Sequence, residues 1–206
     1  MELGAIRSQF PALLQQVDEQ PVYFFDGPGG AQVSSRVLDA MTGYLKKGNA
    51  NLGGRFFSGY ATDNMMANAR SAAATFLHAA SPENIVFGAN MTTLCFSLSR
   101  AISREWKPGD EVIVSELDHY SNVSSWEHAA RDRGVVVKKV RVNPDDCSID
   151  VEHFLSLLST QTKLVAFTLA SNVTGTLADA KAIIRAARSV GAATFIDAVH
   201  YAPHQR

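Results

Sequence analysis

Two polar residues stand at the ends of apolar runs near the end of the 206-residue chain. Leu164-Val165-Ala166-Phe167-Thr168-Leu169-Ala170 passes into Ser171-Asn172-Val173-Thr174-Gly175-Thr176, and Ala193-Thr194-Phe195-Ile196 closes on Asp197-Ala198-Val199-His200. In open α/β sheets ligands sit outside the carboxyl ends of strands, so an amide and a carboxylate here could grip the polar atoms of a heteroaromatic ring. Asp197 has the character to keep a ring nitrogen protonated, and Asn172 could donate to a ring oxygen. The simpler roles are a cap or turn for Asp197 and an Asx turn before Gly175 for Asn172.

Two further segments have the same placement. Gly88-Ala89-Asn90-Met91-Thr92-Thr93 joins a strand-like run to a helix-like one. Free backbone N–H groups and the positive end of a helix dipole could hold a phosphate there, with the hydroxyls of Thr92 and Thr93 adding donors. Taken alone, the segment is better explained by a simple N-cap at Asn90 or Thr92. His119 lies just past Val112-Ile113-Val114, where a flat imidazole could stack on an aromatic cofactor or simply be a hydrogen-bonded histidine. Phosphate, stacking and ring-nitrogen contacts together suit pyridoxal phosphate (PLP), whose protonated pyridine withdraws carbanion electrons.

Competing sites fail on spacing. Asp26-Gly27-Pro28-Gly29-Gly30 is placed like a dinucleotide loop, but the third glycine of G-x-G-x-x-G falls at Gln32, and no G-x-x-x-x-G-K-[ST] occurs. His200 and His204 are separated by Pro203, with no H-E-x-x-H, so no metal site is expected. No G-x-S-x-G elbow is present. Cys95, in an apolar stretch, and Cys147, in a Pro-Asp-rich turn, form no CxxC pair and read as reduced structural thiols.

The elements that must position these residues alternate. Helical patterns are expected from Ser34 or Ser35 to Lys47, from Thr62 or Asp63 with Met66, Ala69, Ala73, Phe76 and Leu77 on one face, from Asn90, around Trp126, over 151–158 and over 178–190. Strands are expected at 22–25, 85–87, 111–114, 135–142, 164–170 and 193–196, with residues 49–60 as a functional loop. That order argues for an α/β fold, a three-layer α/β/α arrangement on a mostly parallel sheet. Residues 1–20 form an N-terminal segment and 21–206 one domain without internal repeat or linker. A sheet of this kind rarely stops just after a core strand, so the expectation is the first part of a larger domain.

Bulk properties fit an ordinary globular class: 46% hydrophobic, 19% charged, formal net charge −1. Nothing in the charge suggests nucleic acid or a membrane surface. The apolar runs fall well short of the ~20 residues needed to span a bilayer, and the N-terminus lacks a basic and apolar leader, so a cytoplasmic protein is expected.

Taken together, these segments resemble the class V aminotransferase family of fold-type-I PLP enzymes, in its cysteine desulfurase and selenocysteine lyase branch. Glu116-Leu117-Asp118-His119-Tyr120-Ser121-Asn122-Val123-Ser124-Ser125-Trp126 is similar to that family's E-H-H-A-N-x-x-x-W, Ser171 to Thr176 to S-N-x-x-G-T, and Asp197 to His200 to D-[GA]-x-[QH]. The resemblance implies PLP as cofactor, His119 stacked on its ring, Asn172 at its phenolic oxygen, Asp197 on its nitrogen, His200 beside it, and Thr92 and Thr93 at its phosphate. Asp197 and His119 become the catalytic pair. It also implies an amino-acid substrate, C–S or C–Se cleavage or a related elimination, a sulfur acceptor, a homodimer, and a lysine from an S-x-H-K segment that would follow Arg206. His200 replaces a glutamine, Asn51-Leu52-Gly53-Gly54-Arg55 replaces an H-R-G-x-H-like segment, and Asp26 to Gly30 replaces D-N-A-A, so the substrate half departs from the pattern. Lys163 and Lys181 do not match the lysine position, and the chain alone is expected to be inactive. The alternatives are a truncated PLP-binding or partner-binding paralogue and, further off, a Rossmann-like nucleotide-binding domain.

Overall fold

The protein is described here by a computed structural model covering residues 2–205; Arg206, the last residue of the expected domain, lies outside the described residues. The chain forms two compact units, Met1–Val86 and Phe87–Arg206.

The first unit is helical. A short helix α1 (Leu3–Arg7) precedes a hairpin of β1 (Gln16–Val17) and β2 (Gln20–Pro21). Its two turn residues, Asp18 and Glu19, both have positive φ (49° and 62°), the backbone that a two-residue hairpin of right-handed twist requires. Two helices follow, α2 (Ser35–Lys47) and α3 (Phe57–Leu77). The strand expected at 22–25 is not formed: these residues pair with no strand, and Phe25 is 94% exposed. An apolar, aromatic run favours a pleated surface only when a neighbouring strand supplies the ladder.

Helix α3 begins five residues before Thr62, inside the segment expected to be a loop. The cause is a close approach. A Cβ on Gly59 would lie 2.2 Å from the Gly54 carbonyl oxygen, so only glycine lets the first turn of α3 sit on the 53–54 turn. Asp63 does not cap the helix; its Oδ1 accepts the Gly53 N–H at 2.9 Å. Thr62 donates to the Ser58 carbonyl at 3.0 Å and meets the Tyr44 hydroxyl at 3.0 Å, tying α3 to α2. The helix buries Gly59, Thr62 and Ala74, whereas Phe76 and Leu77, expected on its core face, are about half exposed. Residues 85–87, expected as a strand, are likewise unpaired.

The second unit has the expected architecture. After α4 (Met91–Ile102), strands β3 (Glu111–Ser115), β4 (Val136–Val140), β5 (Thr162–Thr168) and β6 (Ala193–Asp197) alternate with α5 (Ser121–Arg133), α6 (Val151–Leu157) and α7 (Ala180–Ser189). The sheet order is β4-β3-β5-β6, and every pairing is parallel. Strand side chains alternate between two cores. Val112, Val114, Leu164 and Ala166 face Trp126 and Ala130 of α5. Ile113, Val165 and Phe167 face Phe154 of α6 and Ile183 and Ala187 of α7. The result is a three-layer α/β/α unit whose central strands are buried on both faces, as parallel strands are. Each such Val or Ile at 0% exposure contributes about 2 kcal/mol of apolar burial. β4 and β5 are displaced or shorter than expected by about two residues, and Val142 and Ala170 form isolated bridges with Ile149 and Leu177 instead.

At the amino end of the sheet Glu111 Oε2 accepts from Lys138 Nζ at 2.7 Å and from the Ser159 hydroxyl at 2.6 Å. Lys163 lies 3.5 Å from Asp110. These basic groups therefore serve the edge opposite the strand ends singled out by the sequence.

Candidate functional site

All of the expected site residues lie in the second unit, at helix starts or just past strand ends. Asn90 caps α4: its Oδ1 accepts the Thr93 N–H at 2.9 Å. Gly88 precedes it because Leu94 folds back over the chain there; a Cβ on Gly88 would lie 2.5 Å from a Leu94 methyl. Thr92 Oγ1 and Ser121 Oγ are 2.8 Å apart, which joins the start of α4 to the start of α5. Ser121 is also the partner of His119, because its backbone N–H donates to His119 Nδ1 at 3.2 Å. Nδ1 is thus taken up as an acceptor, which leaves Nε2 as the ring nitrogen not engaged by Ser121. His119 is exposed, so a ring face is open. Thr92 and His119 are thus linked through one serine.

Asn172 follows β5 in a turn that it does not make. Ser171 Oγ accepts the Val173 and Thr174 N–H groups, each at 3.3 Å, and donates to the Leu117 carbonyl at 3.5 Å. Gly175, at φ 72°, closes the turn onto the Ser171 carbonyl. The expected Asx turn is therefore a serine turn, which leaves the half-buried Asn172 amide outside it. Asp197 is 7% exposed at the end of β6, and its Oδ1 accepts the Val199 N–H at 2.9 Å. His200 lies half-buried in the turn that follows. Thr168, at the end of β5, donates to the Ala170 carbonyl at 2.8 Å and lies 3.4 Å from the Asp197 carbonyl.

Sequence reasoning overlooked Asp118. Its Oδ1 accepts from Asn122 Nδ2 at 2.6 Å, and Asn122 Oδ1 accepts from Trp126 Nε1 at 3.1 Å. The signal was the four-residue spacing of Asp118, Asn122 and Trp126, the first just ahead of α5 and the other two on it. Asp118 Oδ2 is buried and makes no hydrogen bond among the described residues. Burial raises its pKa from 3.8 to about 7, against the pull of Asn122, the Thr168 backbone and Ser115, and with a further push from the charge of Asp197. Cys95 of α4, 1% exposed, has its thiol pushed up to about 11 by burial and then by Asp197 and Asp118. It is a packed thiol and not a nucleophile.

Elsewhere, a surface hollow of about 540 Å3 lined by Arg141, Asn143, Pro144, Asp150 and Glu152 lies beyond the edge strand β4 and contains none of these residues. Among the described residues no group of histidines, cysteines and carboxylates could hold a metal ion.

The carboxyl end of the parallel sheet carries Asn172, the buried Asp197 and His119, the edge at which ligands of open α/β sheets sit. The chain belongs to the aminotransferase class-V family, whose model matches residues 23–206. It is 34% identical to a probable cysteine desulfurase of Synechocystis sp. over 98% of this chain and 48% of that protein. The crystal structure of the cysteine desulfurase CsdA from Escherichia coli superposes with a TM-score of 0.82 at 26% identity, covering 99% of this chain and 50% of that one. A C-DES mutant with glycine covalently linked to its PLP cofactor shares the fold at a TM-score of 0.73 and 21% identity, over 93% of this chain and 49% of that one. The chain spans about half the length of the proteins it matches.

Proposed function

We propose that this chain contributes the cofactor-holding part of a PLP-dependent enzyme of cysteine desulfurase type, with both units belonging to the large domain. The observation that carries this reading is the buried acidic end of the site. Asp197 closes β6 at 7% exposure, and its Oδ1 accepts the Val199 N–H at 2.9 Å. A buried carboxylate at that strand end fits a protonated ring nitrogen. Relatives named as cysteine desulfurases support the reaction class.

In this reading the first turn of α4 with Thr92 and Thr93 binds the phosphate, His119 stacks on the ring, and Asn172 donates to the phenolic oxygen. Asp197 holds the proton at the ring nitrogen, and His200 borders the ring. Bound PLP supplies an electron sink for electrons released at the α-carbon of an amino acid. C–S or C–Se cleavage, transfer to a sulfur acceptor, a homodimer and a cytoplasmic setting belong to the same proposal for the whole protein. For the membrane, no helix of the described residues is long and apolar enough to cross one.

The test is a PLP titration followed by absorbance, with NAD and ATP as competing ligands. The expected result is saturable binding of PLP that weakens by about tenfold or more in Asp197→Asn and His119→Ala, since a charge-assisted hydrogen bond is worth about 1.5–3 kcal/mol. Binding of either nucleotide in preference to PLP would replace this reading with the nucleotide-binding one.

A further inference from the structure

Ser121 opens α5 with a hydroxyl that has one place to go. The residue is 6% exposed, and among the described residues its Oγ meets a single partner, Thr92 Oγ1, at 2.8 Å. Thr92 is exposed in the first turn of α4, and among the described residues its hydroxyl meets nothing but Ser121. Either hydroxyl could donate in an isolated pair, but the two ends here have different surroundings.

With Thr92 as donor, the Ser121 proton would be left inside the protein without an acceptor, at the desolvation cost of a buried polar group. With Ser121 as donor, its proton is satisfied and the Thr92 proton, at the surface, is free for water or a ligand. Burial therefore sets the direction: Ser121 O–H donates to Thr92 Oγ1. In the E-H-H-A-N-x-x-x-W pattern, with Asn122 and Trp126 in register, Ser121 stands at the alanine, so this hydroxyl is particular to the present chain. The Ser121 backbone N–H separately donates to His119 Nδ1 at 3.2 Å, a contact that a change of side chain leaves in place.

We propose that Ser121 is a positioning residue: by donating to Thr92 Oγ1 it makes the Thr92 hydroxyl an outward donor for the phosphate of the ligand. A hydroxyl that accepts one hydrogen bond is polarised to donate a stronger one, and an anionic oxygen gains most from it. The choice of phosphate as acceptor rests on the proposed function; the direction of the Ser121–Thr92 bond does not.

The experiment titrates the whole chain calorimetrically with two probes that differ only in the phosphate, pyridoxamine 5′-phosphate and pyridoxamine. Neither carries an aldehyde, so neither reacts with lysines. In Ser121→Ala the phosphate-bearing probe is expected to bind about fivefold or more weaker, the scale of one hydrogen bond, while pyridoxamine changes by less than about twofold. Equal weakening of both probes would reduce Ser121 to a structural contact and overturn the proposal, as would no weakening of either. If Ser121→Ala does not fold, Ser121→Cys is read against the same limits, since a thiol is only a weak donor. Where pyridoxamine gives no signal with the wild type, inorganic phosphate decides instead, followed by amide NMR shifts at Thr92 and Thr93. Shifts that saturate in the wild type and weaken in the variant sustain the role of Ser121; shifts missing from the wild type, or the same in both, overturn it. A wild type that binds neither pyridoxamine probe also removes the proposed function, and the phosphate result then judges Ser121 by itself.

Discussion

The Thr92 and Ser121 hydroxyls meet at 2.8 Å, and this contact joins the first turn of α4 to that of α5, the helix that follows β3. Ser121 is 6% exposed and also orients His119 through its backbone N–H. Removing the contact should therefore loosen the first turn of α4 and the start of α5 together. In a double-mutant cycle of Thr92→Val and Ser121→Ala, the coupling energy in denaturant unfolding should be about 1 kcal/mol. Zero coupling would make the contact incidental.

The half-buried acid Asp118, with its Oδ2 enclosed, gives stability a definite pH dependence. Its pKa rises from 3.8 in the unfolded chain to about 7 in the folded one. Between these values the folded state holds more protons, so unfolding releases them and stability falls as pH rises. The contribution is fully present below the unfolded value and is lost as pH passes through the folded one. At 1.36 kcal/mol per unit the change is at most about 4 kcal/mol. Urea unfolding at intervals across that window should show the decline in wild type and a flatter profile in Asp118→Asn.

Gly59 should tolerate no side chain. Its Cβ would strike the Gly54 carbonyl at 2.2 Å, which is backbone and cannot rotate away. In Gly59→Ala the first turn of α3 must move off the 53–54 turn, at a cost of about 1–3 kcal/mol. Hydrogen exchange should quicken at residues 57–62 and at Gly53, whose N–H bonds to Asp63. Unchanged exchange there would mean that the turn relaxes freely.

The two thiols should react at different rates. Cys95 is 1% exposed with its thiol raised to about 11, whereas Cys147 is half-buried in a turn. Iodoacetamide under native conditions should label Cys147 first, and Cys95 only on unfolding. Fast labelling of Cys95 would mean that the α4 packing opens readily.

The α/β order, the parallel sheet and the helices α4 to α7 were legible because buried strands and amphipathic helices have distinct periods, and each finds its partner within the same unit. Residues 22–25 and 85–87 show the limit. Their composition suits a strand, but composition does not say whether a neighbour exists to pair with. The start of α3 was hidden for a different reason: Gly59 looks like a loop residue until the approach of Gly54 is seen. Within the candidate site, residue type and position were readable, whereas their mutual wiring was not. Ser121 and Ser171 organise the neighbourhood through hydroxyl contacts that any serine could make. Asp118 stood in a recognisable motif, yet its significance comes from one oxygen that lacks a donor.

The lysines of the second unit lead to the last prediction. Lys163 lies near Asp110, Lys138 near Glu111 and Lys139 near Glu127, Lys107 comes before β3, and Lys181 is in α7. In sequence none of them follows a strand end, the position shared by Asn172 and Asp197. A covalent link to PLP at that end would require one of them to leave its ion pair or its helix and cross the sheet. None of these lysines should therefore hold PLP covalently. Borohydride treatment with PLP, followed by peptide mapping, should yield only scattered labelling that does not saturate and does not respond to Asp197→Asn. Saturable labelling of one lysine, abolished by that substitution, would show that a lysine reaches the site after all.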